Sequence, residues 1–308
     1  MKEAHTPPAL WKPRHWPLWA AAALVYSAGQ LPYACEPVAG SCFGLLYAVL
    51  QPRRRAITRD NLKRCFPEKT PREIRRLARA HFRALGMGFI ETAMGWWRSD
   101  ERLPPVTIEG LEHLEGALAR GRGAFLLTGH FTALEIGARF ISRKIPVGAL
   151  YRPGNNPVLD RLMRQGRQRR TQIAIPRDNV RMLLHALANN IPVWYATDQG
   201  YTGKGSAQVP FFGNLAPTHV GLSRLAQASR APVVPFFVRR LPGREGFRVM
   251  IEPPLTDFPG RDPVEDAKHV HELLEHYIRM MPEQYLWSHD RFKDHPRGKT
   301  VRTPSPSK

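Results

Sequence analysis

A chain of 308 residues with 43% hydrophobic content can bury a full core, which excludes global disorder. Its 46 Lys and Arg against 26 Asp and Glu leave a formal charge of +20, so its partners are sought among polyanions: an anionic membrane surface, an acidic protein or nucleic acid. The three cysteines, Cys35, Cys42 and Cys65, give no sign of a disulfide framework or zinc knuckle, and a reducing, cytosol-facing body is the default.

The N-terminus comes first. Lys12, Arg14 and His15 precede Trp16–Ala34, a stretch without a charged side chain, and a second uncharged run after Glu36 reaches Leu50 just before Arg53, Arg54 and Arg55. Residues 1–50 are expected to form a membrane anchor, spanning or re-entrant, although Pro17, Gly29, Gln30 and Pro32 weaken a span. A buried hairpin is the rival reading. No small-residue cleavage site marks a signal peptide, and basic residues on both flanks leave the orientation open.

A short helix-like segment follows from Arg55 to Phe66. Thr70-Pro71-Arg72-Glu73 is then a helix start, with proline inside the first turn and an acid beside it, and the helix is expected to run through Trp97. Arg72, Arg76, Arg79 and Arg83 share one of its faces. They form either a solvated face or, beside an anchor, a contact for anionic headgroups, at about 1 kcal/mol for each basic residue. Beyond Pro104-Pro105, strand-like runs at 124–128, 146–151, 172–176, 192–197, 232–238 and 246–252 alternate with helix-like segments at 132–143, 155–169, 178–189 and 217–230. This pattern predicts an α/β fold with a largely parallel sheet flanked by helices. A last helix over 262–281 completes one domain at 51–295, and the Pro-, Ser- and Lys/Arg-rich tail at 296–308 reads as disordered.

In such a sheet, polar residues just after the strands converge on one rim, where ligands bind. Those residues are His130, Arg152, Arg177 and Asp198, with Arg167 near the end of a preceding helix. A base, an acid and several guanidiniums there can deprotonate an alcohol, stabilise an oxyanion and hold phosphate or carboxylate. His130 delivered by the apolar strand Ala124–Thr128 is the first candidate for chemistry, against a plain loop histidine. Glu135, five residues on, faces His130 only if the histidine lies before the helix; Thr132 and Glu135 alternatively form a capping box. No His-Glu-x-x-His, clustered metal ligands, Gly-x-Ser-x-Gly elbow, complete phosphate loop or dinucleotide fingerprint occurs. Aromatic and basic residues do not interleave as in a nucleic-acid module, so no metal, organic cofactor or nucleic acid is expected.

The ordered blocks carry a resemblance. Gly129-His130-Phe131-Thr132-Ala133-Leu134-Glu135 is a His-x4-acid motif. Around it stand Arg59-Asp60-Asn61-Leu62, Cys65-Phe66-Pro67-Glu68, Glu91-Thr92-Ala93-Met94, Tyr151-Arg152-Pro153 and Gly166-Arg167. Tyr195-Ala196-Thr197-Asp198-Gln199, Val209-Pro210-Phe211-Phe212-Gly213, Pro282-Glu283-Gln284-Tyr285-Leu286-Trp287 and Arg291-Phe292-Lys293 complete the set. From about Leu46 to Pro296 the chain resembles the bacterial lipid A biosynthesis acyltransferases, which add secondary acyl chains. The resemblance implies an inner-membrane enzyme with its catalytic domain on the cytoplasmic face. Its donor would be the thioester of acyl carrier protein. Its acceptor would be the hydroxyl of a 3-hydroxyacyl chain on a Kdo-bearing lipid A precursor. In that reading His130 is the general base and Glu135 holds its imidazole, without an acyl-enzyme. Arg167 or backbone N–H groups serve the oxyanion, and Asp198 fixes an arginine or the acceptor. Arg152 and Arg177 grip acceptor phosphate or carboxylate. A monomer is the default assembly, on anionic phospholipid. A glycerophospholipid or lysophospholipid acyltransferase and a non-enzymatic, membrane-attached binding protein are the alternatives.

Overall fold

The computed structural model describes residues 10–151, 156–168 and 173–293, so Arg152 and the tail at 296–308 lie outside the described residues. It opens with α1 (Trp16–Gln30), α2 (Glu36–Leu50) and α3 (Pro52–Cys65), followed by α4 (Pro71–Trp97). The break between α1 and α2 falls at Leu31-Pro32, where the residue before proline is pushed out of the helical region. The start of α4 is a full capping box: Thr70 Oγ1 accepts the Glu73 N–H, and the Glu73 carboxylate accepts the Thr70 N–H at 2.7 Å.

The rest alternates: β1 (Val106–Glu109), α5 (Leu111–Leu118), β2 (Phe125–Thr128), α6 (Leu134–Ser142), β3 (Gly148–Tyr151), α7 (Pro157–Gln168), β4 (Ile173–Pro176), α8 (Val180–Ala188) and β5 (Val193–Ala196). The hairpin β6 (Ser206–Phe211) and β7 (Asn214–His219) precedes α9 (Gly221–Ser229), β8 (Val233–Arg240), β9 (Phe247–Ile251) and α10 (Pro263–Met280). Seven strands form one sheet in the order β1-β9-β8-β2-β5-β3-β4. The five from β8 to β4 are parallel, whereas β9 turns back on β8 and β1 follows β9. The α/β expectation holds. The hairpin is a difference: residues 217–219, expected to begin a helix, close β7 instead. Its turn is Phe212-Gly213, both at positive φ as two-residue hairpin turns favour. Pro210 and Pro217 lie inside its strands, tolerated because a two-stranded ribbon leaves each strand an unpaired edge.

The core lies on both sides of the sheet. Phe125 and Leu127 face one cluster with α8, α9 and α10, and Leu126 faces the other with α5 and α6. Helices α1 and α2 both dock on α4. A Cβ on Gly44 would stand 1.8 Å from the Phe82 carbonyl oxygen, and one on Gly86 2.0 Å from that of Gly40, so glycine permits this backbone approach. Tyr33–Leu50 is the one run among the described residues long and apolar enough to cross a membrane. Trp16, Leu24 and Tyr26 of α1 are exposed.

Candidate active site

Neighbouring strands β2 and β5 pair in register from Phe125↔Val193 to Thr128↔Ala196. Two residues beyond the last pair on each strand stand His130 and Asp198. Asp198 Oδ1 lies 2.6 Å from His130 Nδ1, and its Oδ2 accepts the His130 backbone N–H at 2.9 Å. The Tyr285 hydroxyl also favours the charge of this carboxylate. Burial disfavours the Asp198 charge, but these donors and the His130 charge outweigh it and hold the carboxyl well below its usual range. Burial likewise pushes the His130 pKa down, and the Asp198 charge and hydrogen bond win, so it is raised from 6.5. Side-chain exposure is 28% for His130 and 2% for Asp198: the acid is sealed behind the ring.

His130 opens on a cleft of about 720 Å³. Its lining includes the apolar side chains of Leu85 and Phe89 of α4 with Leu134, Ala138, Ala149 and Trp194. Arg177, His219, His289 and Lys293 also line it. Arg177 pairs with exposed Asp178 at 3.4 Å.

Glu135 departs from expectation. Its carboxylate accepts from Arg167 Nε at 3.1 Å and from the Arg167 Nη2, while Trp96 Nε1 donates to it at 2.9 Å. Burial opposes its charge, but Arg167 and Trp96 lower its pKa. The partner that holds the imidazole is therefore Asp198, and Glu135 is held by Arg167. The expected cap is also corrected. α6 begins at Leu134 with Ala133 as its cap residue and no side-chain capping bond, and Thr132 Oγ1 instead accepts from Arg240. Gly166 explains the company of Arg167: a Cβ there would meet the Trp96 ring at 2.3 Å, so the small residue seats the indole that Glu135 needs.

Sequence reading brought His130, Asp198, Arg167 and Arg177 to one rim, and the structure does the same. It missed Trp96, Tyr285, His289 and Lys293, which periodicity does not mark; Tyr285 and Lys293 stand within blocks that carried the resemblance. Among the described residues no group of three or more His, Cys, Asp or Glu stands where it could hold a metal ion.

The sequence matches the family described as bacterial lipid A biosynthesis acyltransferase over residues 3–294. It is 36% identical over 292 residues to the lipid A biosynthesis lauroyltransferase of Escherichia coli (strain K12), covering 94% of this chain and 95% of that one. To the palmitoleoyltransferase of the same organism it is 35% identical over 291 residues, 94% of each chain. To the myristoyltransferase it is 27% identical over 282 residues, covering 89% of this chain and 86% of that one. Among solved structures, the 1-acyl-sn-glycerophosphate acyltransferase PlsC from Thermotoga maritima superposes with a TM-score of 0.37 at 13% identity, over 80% of this chain and 97% of that one. That likeness is too loose to bear on the site. Family and membrane-length apolar stretch together associate the protein with the inner membrane. With matches along almost its whole length, the chain belongs to the bacterial lipid A biosynthesis acyltransferases and is an O-acyltransferase.

Proposed function

We propose that this enzyme transfers a fatty acyl chain from the thioester of acyl carrier protein to the hydroxyl of a 3-hydroxyacyl chain on a Kdo-bearing lipid A precursor, with the α/β domain on the cytoplasmic face. The observation that carries the chemistry is the 2.6 Å contact of His130 Nδ1 with buried Asp198, which leaves Nε2 as the ring nitrogen for a substrate in the cleft.

Nε2 takes the proton of the acceptor hydroxyl as its oxygen attacks the thioester carbonyl. Asp198 fixes the tautomer and stabilises the imidazolium. The tetrahedral oxyanion collapses, the C–S bond breaks, and the leaving thiolate takes the proton from Nε2. Arg167, held by Glu135, supplies positive potential for the oxyanion. Glu135 thus acts through Arg167, not on the imidazole. The apolar side chains that line the cleft take the acyl chains, and Arg177 with Arg152 meets acceptor phosphate or carboxylate. No cofactor enters; the carrier-protein thioester is the co-substrate.

Purified enzyme given a mixed-length pool of acyl carrier protein thioesters, with the lipid A precursor and a lysophospholipid as competing acceptors, tests this by mass spectrometry. A single added acyl chain on the lipid A precursor is expected, and H130A should lower transfer at least a hundredfold. Preferred acylation of the lysophospholipid would overturn the acceptor assignment, and near-normal H130A would overturn the base.

A further inference from the structure

His130 lies on a loop beyond the last ladder pair of β2, so the sheet alone does not fix it. A second segment does. Phe131 makes an antiparallel bridge with Tyr285, the Leu286 N–H donates to the His130 carbonyl at 2.9 Å, and the Thr132 N–H donates to the Gln284 carbonyl at 2.7 Å. Gln284 is in turn locked to the end of β8. Its Nε2 donates to the Arg240 carbonyl at 3.0 Å, and its Oε1 accepts the Arg240 N–H at 2.8 Å. Arg240 Nη2 then reaches back to Thr132 Oγ1 at 3.3 Å, which closes a ring through Arg240, Gln284 and Thr132.

The guanidinium that closes the ring is itself immobilised. Fully buried Glu91 of α4 accepts from its Nε and, at 2.7 Å, from Nη2, and Glu36 of α2 stands 3.8 Å from Nε. Burial of this cluster is weak evidence for a stability role, because well-packed apolar residues of similar volume often replace a buried ion pair without loss. The chemistry described above does not use it either. Beyond the Ala84 carbonyl of α4, which accepts from Nη2 at 3.4 Å, its polar reach ends on the loop that carries His130.

We propose that Arg240 is a positioning residue: oriented by Glu91, it holds Thr132 and thereby sets His130 against the acceptor hydroxyl. The proposal rests on His130 as the base. Misplacement of a reacting group by about 1 Å can cost on the order of a hundredfold in rate.

Thr132→Val keeps the side chain's shape and removes the acceptor for Nη2, and Thr132→Ser keeps the hydroxyl. For T132V, kcat is expected to fall about tenfold with KM for donor and acceptor within about twofold and the melting temperature unchanged; T132S should stay within about twofold of the parent. Arg240→Lys keeps charge but loses the planar fork and should also lower kcat. The T132V/R240K double variant should lose no more than the worse single, because both cut one ring. A parent-like kcat for T132V, an equal loss in T132S, or multiplying losses in the double variant would overturn the proposal. If R240K fails to fold, the T132V and T132S pair still decides. H130A separates the two readings: an active H130A removes the base itself, whereas an inactive H130A with parent-like T132V removes only the role of Arg240.

Discussion

Asp198 stays ionised far below neutrality, and that sets the direction in which pH controls the site. Its charge raises the His130 pKa above 6.5 against the opposing pull of burial and Arg167, with Glu135 adding to the rise. The base works only when neutral, so kcat/KM should be lost as pH falls through that raised value, giving an acid limb above pH 6.5. Asp198→Asn removes the charge, leaves burial to pull the imidazole pKa down, and should move the limb to lower pH while the plateau drops about a hundredfold or more. A pH–rate profile of D198N with an unmoved limb would remove Asp198 from this role. His130 was legible in the sequence because an apolar strand runs into Gly129 and delivers the next residue to the rim. Its partner was not. The five-residue spacing to Glu135 is a local signal, whereas the link to Asp198 passes through the adjacency of β2 and β5, a tertiary fact that no short spacing encodes.

Helix α4 is the element on which the N-terminal region and the site meet. Gly40 and Gly44 of α2 rest on Gly86 and Phe82, and Gly88 faces the catalytic loop, where a Cβ would come within 2.5 Å of the Thr132 carbonyl oxygen. Gly44→Val should force α2 off α4 and cost about 1–3 kcal/mol or more, read as a lowered melting temperature of the purified protein. Gly116→Ala on α5, where an added Cβ meets nothing within 4 Å, is the control and should be neutral or slightly stabilising. Equal melting of G44V and G116A would show that this contact is not tight. The cap, proline and apolar spacing of α4 made it readable, and the long parallel strands were readable as apolar runs. β1 and α5 escaped because each is short, at four and eight residues. β6 and β7 escaped because their prolines and half-exposed faces mask a strand pattern.

For the whole molecule, the net charge is +20. Arg53 and Arg59 of α3 and Arg72, Arg76, Arg79 and Arg83 of α4 are exposed, so the basic stripe expected from spacing is on the surface. Vesicles containing anionic phospholipid should therefore bind the protein more strongly than neutral ones. Raising salt from about 0.1 to 1 M, which shortens the screening length from about 10 to 3 Å, should erase that difference while leaving binding through exposed apolar side chains. Equal sedimentation with both vesicle types at low salt would assign the stripe to another partner. The bridge between Phe131 and Tyr285 has a consequence in time. All seven strands of the sheet are in place by Ile251, yet the segment that fastens the histidine loop comes at 284–286. At about 5–20 residues per second of synthesis, the sheet precedes the fastening by seconds. The strands are thus made before the segment that fastens the base, and acyl thioesters meet a working site only when residues 284–286 and the cleft residues His289 and Lys293 have left the ribosome.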